Sequence, residues 1–298
     1  MKNIIIGTRG SILALAQADI VIQKLKINFP EHNFSKKVIK TSGDINLSTS
    51  LQNDSLKRMF VKEIEAELLE GQIDIAVHSL KDMPSDMPDG LIIGAIPPRE
   101  NPSDVFISKN NKKLAELPLG SVIATSSLRR KIQIENYRKD LKIVEIRGNI
   151  HTRLKKLEQT DIDGIILAGA GLKRVGLEDK ITEYFNYDII LPAPGQGALC
   201  IQCREGNDFI KDIVFSINEP VTQKIVLAER EFSRIFDGGC KVPIAAYGEI
   251  KNGNLDLDGM FFYDDKIIRD KESGKLDDFM EVARRLSDKI KNRFYNTD

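Results

Sequence analysis

The sequence has no excess of either charge sign: 44 Lys and Arg stand against 44 Asp and Glu. A general nucleic-acid binder needs a basic face to displace counterions from phosphates, so neutrality argues against that class. Nor does any apolar run approach the roughly 20 residues of a membrane span. Ile4–Ile6 briefly imitates a signal peptide, but Thr8, Arg9 and Gly10 interrupt it and no small-residue cleavage site follows. A cytoplasmic chain is expected. Cysteines number three (Cys200, Cys203 and Cys240), too few and too odd a count for a disulfide framework. Cys200 and Cys203 match C-x-x-C, yet they sit in a strand-like run, where residues three apart face opposite ways. The three histidines (His32, His78 and His151) show no paired spacing, so no metal site is expected.

What is present is a soluble composition, 41% apolar and 30% charged, in 298 residues. That is enough chain for two or three domains. The first two-thirds alternates short β-branched runs with amphipathic helical patterns, which predicts α/β domains with mostly parallel sheets. Ligands in such folds bind beyond the carboxyl ends of the strands. Pro97-Pro98 and the Leu191–Gly197 stretch, rich in Pro and Gly, bracket an inserted middle domain. After a long helix near Glu219–Phe236 the pattern changes to a small antiparallel meander closed by a helix, a third, α+β domain. There is no internal repeat of 20–50 residues and no low-complexity segment.

The neutral average hides a local excess. Between Ser121 and Arg174, twelve cations face six acids, a surplus of +6 in 54 residues. Position matters more than total. Thr125-Ser126-Ser127-Leu128-Arg129-Arg130 carries one strand into a helix, placing free amides, hydroxyls and guanidiniums at one strand end. Arg147-Gly148-Asn149, with Arg153 one turn on, repeats the arrangement; Arg174 and Thr8-Arg9-Gly10-Ser11 follow two further strands. One such arginine is an ordinary solvated ion pair more often than not. Four strand ends carrying arginine point instead to a receptor for a multiply charged anion. Gly169-Ala170-Gly171 opens like a dinucleotide fingerprint, but Arg174 stands where the third glycine belongs, and no P-loop occurs. Small polycarboxylates fit better than nucleotides.

Two other segments carry chemistry. An apolar strand ends in His78-Ser79-Leu80-Lys81-Asp82, which puts Lys81 and Asp82 at its carboxyl end. There an aspartate serves either as acid, base or electrostatic stabiliser, or as part of a solvated turn. Gly238-Gly239-Cys240-Lys241 follows a helix; the ammonium favours the thiolate, while a small buried residue at a tight turn is the plainer reading.

Taken in order, Thr8–Ser11, Asp74–Asp82, Thr125–Arg130, Arg147–Asn149, Leu191–Ala198, Ala228–Arg230 and Gly238–Cys240 resemble the porphobilinogen deaminase (hydroxymethylbilane synthase) family through essentially the whole chain. The resemblance implies a transferase of haem and porphyrin biosynthesis. It joins four porphobilinogen molecules head to tail, releasing ammonia, into the linear tetrapyrrole hydroxymethylbilane. It implies a covalent dipyrromethane cofactor, held by a thioether on Cys240. It implies two periplasmic-binding-protein-like α/β domains, 1–97 with 193–216 and 98–192, and a C-terminal α+β domain, 217–298, with an antiparallel three-stranded sheet. Asp82 matches the catalytic aspartate, helping the amine depart, stabilising the resulting cation and assisting the later proton removal. Arg9, Arg129, Arg130, Arg147, Arg153 and Arg174 match carboxylate-binding positions, assisted by Ser11, Lys81, Thr125, Ser127 and the amides of Gly148 and Asn149. Lys57 matches an anion contact, and Phe60 and Gln196 match stacking or cleft-lining groups. The family has a glycine-rich loop before its Lys-x-x-Phe, whereas Asn53–Phe60 here has no glycine. A monomer is implied, with porphobilinogen as its partner and no nucleic acid, membrane or metal. A carboxylate-binding sensor of the same architecture would need the arginines, but neither Asp82 nor a modified Cys240.

Overall fold

The computed structural model describes residues 1–45, 54–236 and 243–295. The chain divides into two compact units, Met1–Arg99 with Ala198–Lys224, and Glu100–Gly197 with Ile225–Asp298.

The first unit is built on β1 (Asn3–Arg9), α1 (Ile12–Asn28), β2 (Asn33–Ile39), α2 (Ser42–Ile45), α3 (Asp54–Leu69), β3 (Ile75–Ser79) and β4 (Leu91–Ala95). In the second, β5 (Asp104–Ser108), β6 (Val122–Ala124), α4 (Leu128–Tyr137), β7 (Lys142–Val144), α5 (Ile150–Gln159), β8 (Gly164–Ala168), α6 (Gly169–Arg174) and β9 (Glu183–Tyr184) follow. The chain then returns through β10 (Leu199–Arg204) and α7 (Asp208–Phe215). In the first sheet the order is β2-β1-β3-β10-β4, and in the second β7-β6-β8-β5-β9. Each sheet has one strand against the rest: β10 is antiparallel to β3 and β4, and β5 to β8 and β9. The remaining pairs, β1 with β2 and β3, and β6 with β7 and β8, are parallel. The sheets are therefore mixed rather than mostly parallel. The reversed strands, β5 and β10, are the two that the chain enters on passing from one unit's sheet to the other's, without a helical crossover from a neighbouring strand. Nothing obliges such a strand to run parallel. Both sheets also share one plan of order and direction, although the sequence carries no repeat.

The elements form for local reasons. Ile4 and Ile6 of β1 are buried, and α1 covers them with a stripe at helical spacing, Ala18, Val21, Ile22 and Leu25. Ser11 caps α1 by accepting from the Ala14 amide (3.2 Å), and Asn149 caps α5 by accepting from that of Thr152 (2.9 Å). These caps fix where the helices leave the strand ends.

The third sheet, β11 (Ile244–Lys251), β12 (Asn254–Tyr263) and β13 (Lys266–Lys275), is an antiparallel meander, flanked in sequence by α8 (Pro220–Phe236) and α9 (Phe279–Tyr295). Leu255, Leu257 and Phe261 face Phe232 of α8 and Val282, Leu286 and Ile290 of α9. Gly259 makes that approach possible, because a Cβ there would lie 2.6 Å from the Phe232 ring. The opposite face places Ala245 and Met260 against Leu191. Buried Glu229 of α8 accepts from the amides of Gly195 (2.7 Å) and Gly248 (2.8 Å), tying the strap before β10 to β11.

Asp104, the first residue of β5, is fully buried. Its Oδ2 accepts from Arg129 Nη1 (2.7 Å), and its Oδ1 from Arg130 Nε (2.9 Å), Arg130 Nη2 (2.7 Å) and Gln196 Nε2 (2.9 Å). Arg129 also donates to the Leu191 carbonyl (2.6 Å), Arg130 to that of Ile166 (3.1 Å) and Gln196 to that of Pro102 (2.6 Å). Burial alone would raise the Asp104 carboxyl, but the two guanidiniums outweigh it and hold it well below the ordinary carboxylate range. A carboxyl depressed in the folded state contributes stability above its unfolded value of about 4, and that stability is lost as pH falls. Replacing Asp104→Asn leaves two buried guanidiniums without their counter-ion and is expected to cost about 3–5 kcal/mol in denaturant unfolding at pH 7. The gap between wild type and variant should narrow as pH falls below about 4, where the wild-type carboxyl begins to lose its advantage over the amide. A gap independent of pH over that range would refute the assignment.

Candidate functional site

In the first unit, β1 and β3 are neighbours, and the turns after them form one pocket. Arg9, Ser11, Gln17, Phe60, His78, Ser79 and Asp82 line it, with Leu13, Ala14, Val61 and Val77 beneath. Four of the residues expected from the sequence (Arg9, Ser11, Phe60 and Asp82) thus meet at the carboxyl end of a sheet. The Arg9 guanidinium lies 4.2 Å from the centre of the Phe60 ring, so the aromatic face that was expected to stack on a ligand carries a cation. Phe60 covers Gly43, where a Cβ would come within 2.4 Å of the ring. Asp82 is exposed at the end of a single 3-10 turn, Leu80–Asp82, whose Leu80 is buried and anchors it. Lys81 is half-buried in the same turn.

Behind the pocket lies a row of hydrogen bonds. His78 is buried and shares a 3.2 Å hydrogen bond between its Nε2 and Gln202 Oε1. Gln202 in turn donates through Nε2 to Glu65 Oε1 (2.9 Å). Burial pushes the His78 imidazole down to about 4, with the charge of Arg9 acting the same way against the Gln202 bond. The ring is therefore neutral at pH 7. Burial raises the Glu65 carboxyl. Gln17 donates to the Ser79 hydroxyl (2.8 Å) on the near side.

The second unit gathers its cations at the equivalent strand ends, after β6, β7 and β8. Thr125 is buried, and its hydroxyl accepts from the Ser127 amide (3.2 Å). Ser127 occupies the N-cap of α4 without spending its hydroxyl on the cap. Arg129 and Arg130, in the first turn, are buried on Asp104, so they hold the fold together as well as lying at a strand end. Gly148 adopts φ +118, which a side chain resists, and Asn149 caps α5. Arg147 donates to Glu145 (2.8 Å). Arg153 and Arg174 differ from these. Each is only partly exposed, each donates to a glycine carbonyl (Gly148 at 2.7 Å and Gly197 at 2.6 Å), and neither pairs with any acid among the described residues. Burial lowers both to about 10, aided for Arg153 by the charge of Arg130 and opposed for Arg174 by Glu100. They stay protonated at pH 7, and a desolvated cation without a counter-ion is a strong demand for an anion.

Other expected residues sit apart. Gln196, placed in the cleft by resemblance, is buried and donates its amide to Asp104 and to the Pro102 carbonyl. Lys57 belongs to α3, but its side chain lies outside the described residues, as do Asn53 and the whole of Gly238-Gly239-Cys240. Cys200 and Cys203 are both fully buried on β10, and burial raises the Cys203 thiol to about 11, away from reactivity. Asp104, Gln202 and Glu65 are not among the residues expected from the sequence. Asp104 and Gln202 carried a signal: each is a polar residue adjoining an apolar run, Asp104-Val-Phe-Ile and Leu-Cys-Ile-Gln202-Cys.

Comparisons with known proteins agree along the whole length. Residues 4–212 match the family described as porphobilinogen deaminase, dipyromethane cofactor binding domain, and residues 223–292 match porphobilinogen deaminase, C-terminal domain. A porphobilinogen deaminase of Fusobacterium nucleatum is 51% identical, covering 98% of each chain. Another from Alkaliphilus metalliredigens is 44% identical over 97% of this chain and 92% of that one. A third, from Clostridioides difficile, is 43% identical over 99% of each. Matched from its first strand to its last helix, the chain belongs to the porphobilinogen deaminase family.

Proposed function

We propose that the two strand-end clusters divide the work of one reaction, with Asp82 at the reacting bond and the second unit's cations on the carboxylates. The chain is a hydroxymethylbilane synthase, a transferase that condenses four porphobilinogen molecules into the linear tetrapyrrole and releases ammonia at each step. Its cofactor is dipyrromethane. Each pyrrole of cofactor or product bears an acetate and a propionate, so the bound chain is a polyanion. Arg153 and Arg174, part-buried with no acid partner, are the observation that supports this assignment. The residues present fit the cofactor: guanidiniums lacking a counter-ion, and a Ser127 hydroxyl left uncommitted at a helix N-terminus. When bound, the cofactor supplies the free pyrrole carbon from which the product is extended.

The protein's own part is electrostatic and positional. Arg9, steadied on the Phe60 ring, takes a substrate carboxylate, with Ser11 and Lys81 assisting. This holds the aminomethyl group toward Asp82, whose carboxylate lowers the energy of the cation that develops as ammonia leaves. The same carboxylate accepts the proton released when the new carbon–carbon bond forms. Arg129, Arg130, Arg147, Arg153, Arg174, Thr125, Ser127 and the amides of Gly148 and Asn149 hold carboxylates already bound, with Lys57 as a further contact. Cys240 is the attachment point. Residues 1–97 with 193–216 form the catalytic domain, 98–192 the carboxylate-binding domain and 217–298 the cofactor-bearing one. The protein works as a cytoplasmic monomer and needs no metal. No described helix is long and apolar enough to cross a membrane.

Two substitutions test the assignment. Asp82→Asn should keep the cofactor mass and bind porphobilinogen while kcat falls by about 10²–10⁴-fold; near-normal turnover would remove Asp82 from the chemistry. Intact-mass spectrometry should find a two-pyrrole adduct on the wild type expressed in a porphobilinogen-producing host, and none on Cys240→Ala. An adduct retained on the variant would place the attachment elsewhere.

A further inference from the structure

The third sheet has two edge strands, β11 and β13, and the chain covers each in its own way. Peptide groups along a strand point alternately to one side and the other, so the pairing shows which residues face outward. On β11, the amides of Ala246 and Gly248 point away from β12, to the Pro192 carbonyl (3.1 Å) and the Glu229 carboxylate (2.8 Å). Their opposites on β12, Gly259 and Leu257, therefore turn to Asp270 and Glu272 of β13. This leaves the peptide groups of Arg269, Lys271 and Ser273 facing outward. The Lys271 amide conforms, donating to the Asp270 carboxylate (2.8 Å). Among the described residues no strand pairs with that side of β13.

Their three carbonyls accept instead from a row of cations on α9: Ser273 from Arg285 (3.4 Å), Lys271 from Lys289 (3.3 Å) and Arg269 from Arg293 (3.3 Å). Two periods coincide here, since four helical residues rise about 6 Å and two strand residues about 6.6 Å. Ion pairs hold the same cations along the strand, Arg285 (3.2 Å) and Lys289 with Glu272, and Arg293 with Asp270 (2.8 Å). Glu229 on the other edge is buried, whereas the three cations are 41%, 50% and 61% exposed. Only the β13 edge lies within reach of another molecule.

We propose that Arg285, Lys289 and Arg293 guard a latent self-association surface: by occupying the outward carbonyls of β13, they keep that strand from pairing with β13 of a second copy of this chain. A second copy is the partner whose charges fit. With two β13 strands antiparallel and Ile268 on the two-fold axis, Lys266 of each stands opposite Asp270 of the other, the acid that Arg293 now holds. The inference is independent of the reaction.

The test removes the row with Arg285→Ala, Lys289→Ala and Arg293→Ala together, and adds Glu272→Gln so that no half-buried carboxylate is stranded. Sedimentation equilibrium on the purified full-length holoenzyme should show the variant dimerising about tenfold more tightly than the wild type, or more. Adding Arg269→Pro removes an outward N–H and no bond to β12, while Asp258 keeps its pair with Lys271 (3.2 Å). That addition should restore wild-type behaviour. A variant that is folded by circular dichroism yet associates no more than the wild type overturns the proposal. So does association that survives Arg269→Pro, because it must lie elsewhere. Should the combined variant not fold, Lys289→Ala alone opens the middle carbonyl and should tighten association about threefold. No change in that variant overturns the proposal.

Discussion

A carboxylate without water around it, Asp104, organises much of the second unit. It neutralises two guanidiniums from the first turn of α4 and receives the Gln196 amide from the strap before β10. Those donors also reach the carbonyls of Leu191, Ile166 and Pro102, so one ion cluster joins β5, β8, α4 and the strap. Buried charge is costly unless every partner is in place. Here the partners are in place, and the cost of disturbing any one of them fixes where the others lie. The next residue pair on the same strap extends the chain of contacts, for Gly195 hangs from Glu229, which also holds Gly248 of β11. The third sheet is thereby linked to the arginines through polar groups that each have a partner.

The two strand-end clusters use opposite electrostatic strategies. Behind Asp82 the hydrogen-bonded row holds a neutral imidazole, two amides and a carboxyl whose ionisation burial disfavours, while Arg9 brings the charge on the pocket's near side. In the proposed reaction, groups of that kind add little charge of their own to the field of Asp82. Around Arg153 and Arg174 the balance is the reverse, with cations held on backbone carbonyls and paired with no acid among the described residues, Glu100 acting on Arg174 through its charge alone. Carbonyl dipoles orient a guanidinium without cancelling its charge, which suits a surface that must hold and later release a polyanion.

How much of this was legible in the sequence depended on how local each feature is. β5, β8 and α1 lie at Asp104–Ser108, Gly164–Ala168 and Ile12–Asn28, as periodicity and capping residues predict. The strand-end placement of Arg9, Arg153, Arg174 and Asp82 was readable because it needs only a strand followed by a turn. The direction of β5 and β10 was not, since it depends on which strands become neighbours. The service of Arg129 and Arg130 to Asp104 was hidden for the same reason: partners 25 and 26 residues away leave no periodic trace. Gln196 shows why a motif does not by itself give a role: its amide is spent on Asp104 and Pro102, partners the local sequence does not indicate.

The position of β10 has a consequence for how the protein is made. It is the partner of β4 and lies between β4 and β3, although about a hundred residues separate it from either. While the ribosome is still translating the middle of the chain, β4 has no hydrogen-bonded neighbour and one edge of β3 is bare. All five strands of the second sheet, by contrast, have been synthesised once Tyr184 has been added. The segment in the middle of the sequence can complete its sheet first, while the segment at the beginning must wait with exposed strand edges. Nascent chains stalled before residue 199 are therefore the forms most exposed to edge-to-edge aggregation.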